Sequence, residues 1–223
     1  MKKLLIIVII LTIVGIGSQY GKNLIFRIGL QKMDMKSDLW DINMENLVLN
    51  KKDMQNVCYG IGYEFFLNNN MSINIEGGTY QKTHFSSYRE YTFNDGSPIE
   101  QNIKLSISSV EFNINFLPIG FRKNIYPYLS VGGGLYFWTY EQWDNFINFE
   151  DDTVFEGYAS TRTTSFGGNA KAGIVIRVGK ELGFSVEGKY RYLKGHLSSG
   201  FEGFGDLDLN GWSYSLGIHL FIW

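Results

Sequence analysis

The stretch "GWSYSLGIHLFIW", residues 211–223, sets Trp212, Tyr214, Leu216, Ile218, Leu220 and Ile222 against Ser213, Ser215, Gly217 and His219. A period of two is that of a β-strand, whose successive side chains point to opposite faces. One face of this segment is large and apolar, and the other is small and polar. Seven further runs repeat the pattern. Leu24, Phe26, Ile28 and Leu30 oppose Arg27, Gly29 and Gln31, and Val57, Tyr59, Ile61, Tyr63 and Phe65 oppose Cys58, Gly60, Gly62 and Glu64. Met71, Ile73 and Ile75 oppose Ser72, Asn74 and Glu76, while Val110, Phe112, Ile114 and Phe116 oppose Glu111, Asn113 and Asn115. Leu129, Val131, Leu135 and Phe137 oppose Ser130, Gly132, Gly134 and Tyr136. Ala170, Ala172, Ile174, Ile176 and Val178 oppose Lys171, Gly173 and Arg177, and Phe184, Val186, Tyr190 and Tyr192 oppose Ser185, Glu187, Lys189 and Arg191.

The spacing of the eight runs predicts how they connect. "NNN", "PIGFRKNIY" and "GKEL" are short turns, whereas residues 34–55, 82–101, 141–165 and 194–210 are long and polar. Short and long connections alternate, so all the long ones lie at one end of an up-and-down barrel. Outer-membrane barrels have this asymmetry, with short periplasmic turns, long extracellular loops and aromatic girdles at both interfaces. Phe137, Tyr192, Trp212 and Tyr214 are expected in the outer girdle, and Phe65, Phe116 and Phe184 in the inner one. A soluble lipocalin-like barrel is the alternative, with the apolar face turned inward around a ligand. The polar face argues against it, because Gly and Ser with charges of both signs suit a narrow lumen better than a solvated surface. The expected fold is all-β, an eight-stranded antiparallel up-and-down transmembrane barrel. Ile103, Leu105 and Ile107 have the opposite parity to Val110, which implies a bulge near Ser108 and Ser109 or a strand that rises above the membrane. Trp40, Ile42 and Met44 also alternate, and they leave open an extended first hairpin or a count of ten strands.

Composition agrees with strands: aromatics make up 16% of the chain, with 26 Gly and 3 Pro. The net charge of −2 gives no pull toward nucleic acid. Cys58 is the single cysteine, which excludes an intramolecular disulfide. At the amino terminus Lys2 and Lys3 precede an apolar run over residues 4–11, in the layout of a secretory signal peptide. Residues 1–18 are therefore expected to be the signal, and 19–223 the barrel domain.

The polar face carries Arg27, Lys171, Arg177, Lys189 and Arg191 beside Glu64, Glu76, Glu111 and Glu187. Eight strands enclose an interior that side chains fill, and unpaired buried ions are costly. These nine residues are expected to form a polar network that plugs the lumen. Glu150, Asp151, Asp152 and Glu156 offer oxygen atoms to a Ca²⁺ ion, but their spacing matches no defined coordination loop and fits a solvated acidic loop tip. His219 is read as a hydrogen-bonding residue of the core. "GGG" at 132–134 lies inside a strand and opens no helix, so no phosphate loop is present. No cofactor is implied.

"IYPYLSVGGGLYFW" (125–138), "GGNAKAGIVIRVGKELGFSVEGKYRYLKG" (167–195) and the aromatic terminus resemble the small outer-membrane β-barrel family, the OmpA/OmpX-like superfamily. The resemblance implies location in the outer membrane of a Gram-negative-type bacterium, as a monomer among outer-membrane lipids. It also implies that the last strand carries the signal read by the barrel assembly machinery: Ser215, Gly217, Leu220 and Ile222 match its spacing, and Trp223 supplies the terminal aromatic. Some barrels of this kind modify lipid A, with a His-x-Ser pair and a Glu. His196 and Ser198, with Glu202 nearby, match that spelling, but so do His84 and Ser86, and neither pair is followed by the Asn expected in that class. A hydroxyl beside a base is only the minimum for nucleophilic catalysis. The leading expectation is a structural or surface-interaction protein that meets an extracellular ligand through its loops. A lipid A-modifying enzyme and a narrow channel are the alternatives.

Overall fold

The computed structural model describes residues 21–198 and 200–223; the expected signal segment, 1–18, lies outside them. Strands β1 (Lys22–Met33), β2 (Asn56–Phe66), β3 (Met71–Thr92), β4 (Pro98–Phe116), β5 (Ile125–Asn148), β6 (Thr153–Arg177) and β7 (Leu182–Tyr192) pair in sequence. Two three-residue strands follow, β8 (Lys194–His196) and β9 (Asp206–Asp208), and they pair only with each other. β10 (Gly211–Ile222) then joins β7 to β1 and closes an eight-stranded antiparallel barrel. The ten-strand count is therefore replaced by eight in the barrel and a separate small hairpin.

The outer face carries the apolar set. Phe26, Ile28, Leu129, Val131, Val186, Leu216 and Ile218 are each 42–65% exposed, whereas Glu76, Glu111, Lys171 and Glu187 point inward and are buried. This arrangement excludes the soluble carrier, whose apolar face points inward, and such a continuous apolar surface needs a bilayer to cover it. From Ile125 to Phe137, at about 3.3 Å per residue and a tilt of about 40°, the belt is roughly 30 Å tall. Phe137, Tyr192, Trp212 and Tyr214 are exposed at its upper edge, and Phe166, 85% exposed, joins them. At the lower edge Phe116 and Phe184 are exposed, but Phe65 is buried, with its ring 4.7 Å from that of Tyr63.

The long extracellular connections are themselves folded. β3, β4, β5 and β6 continue past the belt as paired strands, so that 82–101 and 141–165 are mostly hairpin, with turns at 93–97 and 149–152. The β3–β4 register runs unbroken from Met71↔Phe116 to Ser87↔Glu100, so there is no bulge at Ser108 and Ser109. Parity inverts there because the surroundings invert. Above the bilayer water lies outside, so the apolar residues Ile103, Leu105, Ile107, Trp138 and Tyr140 turn inward and are at most 2% exposed. Trp40, Ile42 and Met44 belong to helix α1 (Asp38–Asn46), not to a strand. Its buried Leu39, Trp40 and Asn43 follow helical spacing, and Asp38 and Asp41 in its first turn complement the helix dipole. α1 and the β8–β9 hairpin cover the inner side of the raised sheet and form a crown around a single apolar core. Gly195 makes that covering possible, since a Cβ there would lie 2.1 Å from the Trp138 indole.

Candidate functional site

The lumen is stacked in layers. At the periplasmic end Phe66, Leu117, Phe121, Tyr126, Tyr128, Val175 and Phe221 form an apolar cluster, with Phe66 and Phe121 stacked at 4.1 Å. Above it the buried Glu64 accepts hydrogen bonds from Asn23 (2.8 Å), Asn115 (2.8 Å) and Ser72, and the Asn23 amide also meets His219 Nδ1 at 2.8 Å.

The middle layer is ionic. Glu76 and Glu111 stand directly opposite each other on β3 and β4, and Lys171 and Lys189 do so on β6 and β7. Like charges so placed are destabilising along one wall. Across the lumen the two pairs neutralise one another. Lys171 Nζ lies 2.7 Å from Glu76 and 3.8 Å from Glu111, and Lys189 Nζ lies 3.6 Å and 3.1 Å from the same two carboxylates. Arg27 adds contacts to Glu76 at 2.7 Å and Glu187 at 3.3 Å. Tyr128 donates to Glu187, while Tyr136 and Asn169 donate to Glu111 at 3.0 Å. These neutral donors satisfy lone pairs that ion pairing leaves open, which a buried charge cluster requires. A water-sized cavity of about 40 Å³ remains beside the network.

Three expected members stand apart from this layer. Arg191, near the top, donates through Nε and Nη2 to the Leu209 carbonyl at 3.2 and 3.1 Å and has its guanidinium 5.8 Å from the Tyr136 ring centre. Arg177, at the bottom, donates to the carbonyls of Phe121 and Lys180 and lies over the rings of Phe221 and Trp223 at 4.6 and 4.9 Å. Glu64 is held by hydrogen bonds rather than by a cation. Parity places all three inside but says nothing about depth, and depth decides which charges meet.

No protein-family model and no curated protein sequence matches the chain. Solved structures do match. OprG from Pseudomonas aeruginosa, an outer membrane protein, is similar with a TM-score of 0.56 and 12% identity over 91% of this chain and 96% of that one. A major outer membrane protein from Thermus thermophilus gives 0.53 and 9% over 90% and 99%. Neisserial surface protein A gives 0.52 and 10% over 90% and 96%. The chain has the fold of the small eight-stranded outer-membrane β-barrels. With the apolar belt, this makes it an integral outer-membrane barrel.

The barrel separates the residues of the deacylase-like spelling. His196, on β8, points into solvent and pairs through Nδ1 with Asp206 at 3.2 Å. The Ser198 backbone is tied to Thr161, and among the described residues neither Ser198 nor Glu202 hydrogen-bonds to His196. His84 and Ser86 each reach the Val48 carbonyl at 3.1 Å and fasten the first loop to the crown. At the acidic tip Asp151 accepts from the Thr153 amide (3.1 Å) and hydroxyl (2.7 Å), and these bonds hold its carboxyl below the usual range. No group of three potential metal ligands forms among the described residues. In β10, Leu220 and Ile222 face the bilayer, and Gly217 faces inward where a Cβ would lie 2.4 Å from Ser185 Oγ. Trp223 is 61% exposed at the periplasmic rim and donates to the Lys180 carbonyl at 2.8 Å. Tyr128, Asn115 and Ser72, which complete the lumen layers, carried no charge to mark them in the sequence.

Proposed function

We propose that this barrel is a structural, surface-contacting protein of the outer membrane, with no catalytic role. The observation that carries the reading is the crown. Four strands rise roughly 25 Å beyond the belt, by the same rise and tilt, and enclose a packed core. Loops alone would be mobile, whereas this sheet holds the exposed Phe85 (76%), Tyr158 (65%) and Phe155 (52%) on a rigid support. Exposed aromatics on a rigid frame lose little conformational entropy on contact and are favoured anchors. The three lumen layers and the crown core close the barrel to ions and solutes. Outer-membrane lipids surround the belt, and the last strand, with Ser215, Gly217, Leu220, Ile222 and Trp223, is what the assembly machinery reads.

Cells displaying the barrel and cells displaying a Phe85→Ser/Tyr158→Ser variant are to be compared for adhesion to one another and to coated surfaces at equal display. Loss of adhesion in the variant supports the contact role, and equal adhesion contradicts it. Planar-bilayer recordings are expected to show no stable open state, and a stable large conductance contradicts a closed lumen.

A further inference from the structure

The crown holds a cavity of about 190 Å³ between α1, the raised sheet and the segment that carries Phe201. It opens to the outside past Ile42 (40% exposed) and Phe149 (55%). Its base is built of amides, which the buried Tyr140 hydroxyl holds from behind. Gln142 Nε2 donates to Asn43 Oδ1 at 2.9 Å and to the Tyr140 hydroxyl at 2.8 Å, and Asn43 Nδ2 meets the same hydroxyl at 2.8 Å. Gln101 also faces the cavity. It is 4% exposed overall, and its amide, which takes part in no side-chain hydrogen bond among the described residues, opens onto the cavity and is not sealed from it.

An amide that opens onto a cavity is free to bond a group that arrives from outside, in exchange for water. The walls are aromatic and aliphatic, and no lining residue is charged. An ion would be stripped of water there with no counter-charge, whereas a neutral molecule would not. We infer that this cavity binds a small neutral molecule that joins a flat apolar body to a hydrogen-bonding head. A cavity of about 150 Å³ holds benzene, so the space admits an aromatic ring with one polar substituent. Gln101 and Gln142 supply both donors and acceptors to such a head. This inference deepens the contact role of the crown, and the two fail separately, since adhesion and pocket binding are read in different assays.

The probe is benzamide, with its charged analogue benzoate as the comparison. Saturation-transfer NMR is recorded on the full barrel in nanodiscs, with empty nanodiscs as the blank. Benzamide is expected to saturate with a Kd below about 1 mM, within reach of a ligand of this size, and benzoate to bind at least about tenfold more weakly. Gln101→Leu removes the lining amide on β4, and Ala159→Leu fills the cavity from β6. Each is expected to weaken benzamide at least about tenfold, as a lost partner or lost space would. The two sit on different strands, and each folded variant is verified by its mobility shift before boiling. The wild-type comparison of the two probes needs no variant. A benzamide signal equal to the blank overturns the inference. So does equal binding of benzoate, or benzamide binding that survives the filled cavity.

Discussion

Replacing Lys171 by Met removes one of the three cations gathered around Glu76 and leaves an excess negative charge in a buried layer. The lost contact is 2.7 Å long, and at an effective dielectric near 20 such a pair attracts by about 6 kcal/mol. Relief of the desolvation of Lys171 offsets part of this, and breaking one partner of a buried pair costs about 3–5 kcal/mol. Glu76→Gln is expected to cost a similar amount, because Lys171 then keeps only the 3.8 Å contact to Glu111. The double variant restores charge balance. Its cost is expected to fall at least about 2 kcal/mol short of the sum of the singles, as for coupled sites in one network. Urea unfolding in lipid vesicles, followed by tryptophan fluorescence and by the gel mobility of the unboiled protein, measures all three. The coupling is expected to change little with salt, since buried pairs are poorly screened. Single variants that cost under about 1 kcal/mol, or a double variant that is additive within about 0.5 kcal/mol, refute the network as an element of stability.

Further expectations concern the crown. Trp138→Ala removes a side chain that is 1% exposed and is expected to cost about 3–5 kcal/mol in the same unfolding assay. Gly195→Ala forces β8 off the Trp138 ring and is expected to cost about 1–3 kcal/mol, and clearly less in a Trp138→Leu background. At the hairpin turns, hydrogen bonds from Ser97 to Asp95 and from Thr153 to Asp151 hold both carboxyls below their usual range. A depressed folded pKa gives stability that is present above the unfolded value of about 3.9 and is lost as pH falls through the folded one. Amide protection at Ser97 and Thr153, normalised to unfolded-chain rates, is expected to drop below about pH 4, and Asp95→Asn/Asp151→Asn is expected to abolish that drop. His196→Ala/Ser198→Ala is expected to leave the lipid A mass spectrum unchanged, and a new or missing acyl chain would restore the enzymatic reading.

The transmembrane half was legible because its surroundings are simple. With lipid outside and a polar lumen inside, each strand from Leu24 to Ile222 reads as a period of two with one apolar face. The crown was harder to read because the rule reverses at Ser108 on β4 and at Tyr136 on β5. Above those points water lies outside and an apolar core inside, so strands that continue without a break look like polar loops that happen to carry Ile103, Leu105 and Trp138. The first loop misled for a different reason: Trp40, Ile42 and Met44 fit a period of two, but the residues that α1 buries are Leu39, Trp40 and Asn43. The sign and face of the lumen charges were visible, but their depth was not. That is why Arg177 and Arg191, which share parity with Lys171 and Lys189, sit at the ends of the barrel and away from Glu76 and Glu111.

The central claim is a lipid-embedded barrel, and heat-modifiability tests it most directly. The protein is extracted from outer membranes in mild detergent and run unboiled and boiled on a denaturing gel. A faster-migrating band that boiling abolishes, together with β-rich circular dichroism, is the result expected. Recovery in the soluble periplasmic fraction with no mobility shift would contradict the belt, the facing of every strand and the proposed closed lumen together.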